Sequence, residues 1–73
     1  MNQDERKKLV VLIDYWIKHN REHGDEFKDW AEKAGSLEEG GVRDALMAAF
    51  FKMNETNELL LDALHKLKKS GRR

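Results

Sequence analysis

Leu9, Ile13, Trp16, Asn20, His23, Phe27, Trp30 and Ala34 recur at alternating steps of four and three residues. That is the spacing of a heptad seam, which turns one face of a helix toward a partner. Proline is absent and the five glycines stand at four places, so only glycine can punctuate the pattern. The spacing predicts a first helix over about 4–34, with Asp4 and Glu5 in its first turn and a left-handed stop at Gly35. Residues 35–41 read as a connection. Ser36 and Glu39 match an S-x-x-E capping box, but Gly40 and Gly41 follow at once and weaken any helix begun there. A second helix is expected over about 42–69, with Lys66, Lys68 and Lys69 complementing its C-terminal dipole, and 70–73 as a frayed tail.

The second helix carries its own stripe of Val42, Leu46, Ala49, Met53, Asn57, Leu60, Leu64 and Leu67. Folded antiparallel about the connection, facing positions should have numbers that sum to about 76. Trp30 then meets Leu46, Phe27 meets Ala49, His23 meets Met53 and Trp16 meets Leu60. On the same count Asn20 falls opposite Asn57, an agreement that the helix assignment does not impose. The fold class expected is therefore all-α, an antiparallel hairpin of two long helices forming one domain. A lone hairpin buries little, and Val10, Val11, Leu12, Met47 and Leu59 add apolar surface beyond one seam. Pairing of two hairpins into a twofold four-helix bundle would cover it, with Ile17, Phe50, Phe51 and Leu61 as interface candidates. The competing architecture breaks the first helix at Gly24, with Asp25 as the next N-cap, and closes as a monomeric three-helix bundle.

At 73 residues the chain is one small domain, below the size at which a catalytic cleft between layers is usual. With no Cys, neither a disulfide framework nor a thiolate metal site is available. Fourteen basic and fourteen acidic residues give a formal charge of zero, which argues against nucleic acid or an anionic membrane as the main partner. The longest apolar run, Leu9 to Ile13, is too short to span a bilayer, and the N-terminus lacks a signal-peptide layout, so a cytoplasmic protein is expected.

Possible site chemistry is concentrated in His19-Asn20-Arg21-Glu22-His23. His19 and His23, four apart, project from one side of a helix, and Glu22 or Glu26 can complete a nitrogen and oxygen site for zinc, nickel or iron. The run also matches H-x-x-E-H, the inverted zinc-protease motif. That motif needs a further carboxylate ligand and a substrate cleft, for which two helices offer no obvious place, so hydrolase activity is not expected. The structural reading of Asn20, His23 and Asn57 is a polar core layer that fixes register, because sliding the helices would leave buried amides without partners. Trp16, Phe27 and Trp30 read as packing residues. Adjacent Phe50 and Phe51 cannot both face one seam, so one of them marks an outer contact.

Trp16-x-x-His19-Asn20-x-x-His23-x-x-x-Phe27-x-x-Trp30 resembles a pattern of short helical domains of unknown function in prokaryotic proteins. The resemblance covers the first helix, implies a small all-α domain, and carries no activity, cofactor or partner with it. The sequence thus points to a non-enzymatic interaction or assembly module that dimerises or binds another protein and needs no cofactor. The second reading is a metal-binding or metal-sensing bundle built on His19 and His23.

Overall fold

The computed structural model describes residues 2–70. Helix α1 spans Gln3–Ser36, α2 spans Gly40–Ser70, and the two pack against each other as an antiparallel hairpin, with no strand among the described residues. Asn2 caps α1, its Oδ1 accepting from the Glu5 backbone N–H at 2.8 Å, and Asp4 and Glu5 place negative charge in the first turn. Helix α1 runs unbroken through Gly24, so the three-helix alternative does not apply. The glycine stays helical because it sits buried in the interface: a Cβ there would lie 3.6 Å from Phe50 and 3.7 Å from Met53. Of the expected tail, residues 71–73 lie outside the described residues.

The reversal is tighter than the glycines suggest. Gly40 and Gly41 belong to α2, leaving only residues 37–39 between the helices. Gly35 does not take the left-handed conformation expected of it; Glu38 does, at φ 63°. Glu38 N–H donates to Gly35 C=O at 3.1 Å and Glu39 N–H to Ala34 C=O at 2.9 Å. That pair of bonds is a Schellman ending, in which the left-handed residue is usually glycine. Ser36 does not cap α2 either, since its hydroxyl donates back to the Glu32 and Lys33 carbonyls within α1.

The seam is rotated from the expected one. On α1 the residues turned inward are Val10, Ile13, Ile17, Asn20, Gly24, Phe27, Ala31 and Ala34, and on α2 they are Leu46, Phe50, Met53, Asn57, Leu60, Leu64 and Leu67. Ile13, Ile17 and Leu64 form the core, with Leu9, Val10, Leu60, Leu61 and Leu67 packed around them. Ile17, expected as an outer interface residue, is only 4 % exposed. Trp16 and Trp30, expected to pack inside the seam, are 40 % and 58 % exposed. Gly24 and Ala31 take the inner places because α2 brings Phe50, Met53 and Leu46 to that half, and a Trp could not fit between helices at packing distance.

The molecule is a rod, 56 × 15 × 13 Å, with a radius of gyration of 16.5 Å. A compact domain of this length would have a radius of gyration of about 11 Å. Its accessible surface is 5852 Å², against roughly 4,700 Å² for a folded monomer of the same mass.

Candidate functional site

The asparagine layer forms at the middle of the rod. Asn20 Nδ2 donates to Asn57 Oδ1 at 3.0 Å, and Asn57 Nδ2 donates to the Ile17 carbonyl at 3.1 Å. Asn57 is 6 % exposed, and among the described residues no buried side-chain polar atom lacks a partner. A one-step slip of the helices would strand the Asn57 amide in an apolar seam, at a cost of about 1–3 kcal/mol. The two amides are thus bonded to each other and to the backbone of α1. His23, expected in this layer, is not bonded to either asparagine.

His23 belongs to a second arrangement on the flank of α1. Its Nε2 stands 3.0 Å from His19 Nε2, with the two rings nearly perpendicular, and its Nδ1 lies 3.3 Å from Glu26 Oε1. Tyr15 stacks on His19 with ring centroids 5.4 Å apart, and Phe27 stacks on His23 at 6.4 Å. Four rings spaced four residues apart thus form a ladder along α1, as side chains one helical turn apart must. A short separation between two imidazole Nε2 atoms requires a proton on one of them and a lone pair on the other. The proximity of Glu26 favours the His23 tautomer protonated at Nδ1, which leaves its Nε2 as acceptor.

Glu22 does not join this pair. It immediately precedes His23, and neighbouring helical residues point about 100° apart. Among the described residues the Glu22 carboxylate makes no hydrogen bond or ion pair with either imidazole, whereas Glu26 does. Among the described residues no group of three or more His, Cys, Asp or Glu side chains is placed to hold a metal ion. The ligand set His19, Glu22, His23 and Glu26 is therefore reduced within one chain to two imidazoles and an adjacent carboxylate. His65 is exposed on α2, in the half of the rod nearer the termini.

Around the histidines lies an apolar flank. Leu9, Trp16, His23 and Trp30 are seven residues apart and sit beside the buried stripe, with Leu12 and His19 one step further round. On α2 the matching flank holds Val42, Ala49, Thr56 and Ala63, with Leu59 beside them. Leu12, Trp16 and Leu59 are exposed on the terminal side of His23 along the rod, and Trp30 and Val42 are exposed on the turn side. Lys33 Nζ sits 4.1 Å from the Trp30 ring centroid and covers part of that ring. Of the remaining interface candidates, Phe50 is half-buried near Gly24 and Leu61 packs on the core, while Phe51 stays exposed. The flank escaped the sequence reading because Trp16, His23 and Trp30 were placed inside the seam. The signal that would have found it is the parallel stripe Val10, Ile17, Gly24 and Ala31, one residue further along.

Residues 9–67 match the family described as Domain of unknown function (DUF8180). The chain belongs to that family. No curated protein and no solved structure matches it. The matched segment contains the asparagine layer, the histidine pair and both patches, and omits only the ends of the two helices. No helix among the described residues is long and apolar enough to cross a membrane.

Proposed function

We propose that this DUF8180 protein is a non-enzymatic cytoplasmic assembly module that works as a homodimer, two hairpins pairing through the Trp16 and Trp30 flank into a four-helix bundle. The observation that carries this reading is the placement of the two patches. Trp16 and Trp30 each lie seven residues from His23, about 10 Å along the helix in either direction. A twofold axis through His23 lays the Trp16 patch of one chain on the Trp30 patch of its partner, so a second copy is the occupant whose shape is already on the molecule. The small residues Ala49 and Ala63 beside the tryptophans leave room for the partner's rings.

Area supports the same occupant. The hairpin exposes 5852 Å², roughly 1,100 Å² more than a compact monomer of its mass. A standard interface buries about 800 Å² per partner. Covering the flank therefore removes most of that excess. The core supports it too, since among the described residues Ile13, Ile17, Ala31 and Leu64 are the buried hydrophobic side chains and none of the large ones is fully enclosed. A core of that size leaves an isolated hairpin with net stability near zero.

Sedimentation equilibrium across the micromolar range tests the proposal. Wild type should run as a dimer, and Trp16→Lys together with Trp30→Lys should shift it to monomer while Phe51→Lys should not. A wild-type monomer at all concentrations, or a dimer untouched by the two tryptophan changes, would remove this interface.

A further inference from the structure

We propose that His19 and His23 form a two-imidazole chelate for a divalent transition ion of the zinc, nickel and copper class, and that the ion bridges two chains. The inference rests on the homodimer proposed above, because one chain supplies only two nitrogens and a second copy must complete the site. Three observations carry it. The two Nε2 atoms converge to 3.0 Å on the flank that the dimer would cover. Two nitrogens on one tetrahedral zinc, each at about 2.05 Å, stand about 3.3 Å apart, so the pair is already within a few tenths of an ångström of ligand spacing. Glu26 Oε1, 3.3 Å from His23 Nδ1, supplies the carboxylate-histidine arrangement that orients an imidazole toward a metal.

The proton balance is simple. Without metal, the proton between the two Nε2 atoms belongs to His19 and the lone pair to His23. When an ion binds, the His19 proton moves from Nε2 to Nδ1, the ion takes its place between the two nitrogens, and no net proton is released. Glu26 is then a positioning residue that holds the His23 tautomer, while Glu22 stays outside the site. A partner's pair completes four imidazole ligands, a set that suits this class of ion, when the twofold axis passes between His19 and His23, about 3 Å along the helix from the position that centres the two tryptophans.

Titration with zinc chloride and nickel chloride against a chromophoric chelator, with sedimentation run in parallel, tests the site. The expected result is one ion per two chains, a Kd raised at least tenfold by His19→Ala or His23→Ala, and a smaller rise with Glu26→Gln. Dimer dissociation should fall at least tenfold in zinc for wild type and stay unchanged for the histidine variants. Equal binding by wild type and both alanine variants, or one ion per chain, would overturn the proposal. A dimer that forms without metal and binds no ion removes the metal bridge and leaves the assembly reading intact. A chain that is monomeric alone and dimerises only with zinc, at one ion per two chains, keeps the metal bridge and removes the tryptophan flank as the source of pairing. Circular dichroism of each variant separates loss of ligand from loss of fold, since both histidines lie outside the core.

Discussion

Toward the chain termini, α1 and α2 interlock through branched aliphatic side chains: Ile13, Ile17 and Leu64, wrapped by Leu9, Val10, Leu60, Leu61 and Leu67. Toward the turn, the same two helices meet with Gly24 and Ala31 on one side and Phe50, Met53 and Leu46 on the other. In the first half both helices contribute bulk. In the second, α1 contributes Phe27 beside the small Gly24 and Ala31, and α2 fills the space those two leave. Asn20 and Asn57 mark the boundary between the two. One heptad spacing therefore supports two packing solutions, because what the seam requires is a combined volume, and facing positions can divide it equally or very unequally.

Breaking the aliphatic half should have the largest effect. Ile17→Ala removes a core side chain with little room for its neighbours to collapse and should cost about 2–4 kcal/mol, read as a lower urea midpoint at constant slope. If it costs no more than a surface change, the two halves do not differ as described. At the boundary, Asn57→Ala removes the acceptor for Asn20 and the donor to the Ile17 carbonyl, and should cost about 1–3 kcal/mol. Replacing Asn20 and Asn57 together by leucine should recover that loss while broadening the oligomeric state seen by sedimentation; a uniform species would show that the amides do not set register. The smallest change belongs to the turn half. A Cβ at Gly24 meets only ordinary contacts at 3.6–4.0 Å, so Gly24→Ala should raise stability by up to about 1 kcal/mol through helix propensity. A lower melting temperature for that variant would mean the helices approach more closely there than the geometry implies.

Much of the fold was legible before any coordinates. The absence of proline and the two heptad stripes implied the hairpin, and the asparagine pairing was reached from numbering, although the observed register lies one residue from the expected sum. The face of α1 was not legible. Leu9, Trp16, His23, Trp30 and Val10, Ile17, Gly24, Ala31 have equal claims by spacing, and transfer free energy favours the stripe with the tryptophans. Glycine and alanine carry almost no hydrophobic signal, so their value as room for Phe50 and Met53 shows only when both helices are packed together. The reversal was hidden for a related reason. Three glycines, Gly35, Gly40 and Gly41, flank it, yet the residue that turns the chain is Glu38, whose side chain gives no hint of a left-handed backbone. At the histidine pair, sequence spacing identified the two imidazoles but could not separate Glu26, which lies against His23, from Glu22, which does not.

The placement of that reversal has a consequence for how chains can exchange parts. The two helices are separated by residues 37–39, and Glu38 is the non-glycine residue held in left-handed torsions. Bringing residues 37–39, Glu38 foremost, into right-handed helical torsions would fuse α1 and α2 into one rod, and two rods lying antiparallel would re-create the contacts from Ile13–Leu64 to Asn20–Asn57 between chains instead of within one. The closed and exchanged forms then share the same seam and differ in the conformation of residues 37–39, with Glu38 the strained one, and in chain concentration. Glycine at position 38 would hold the closed form, and alanine, which prefers the helix, would favour the exchanged one.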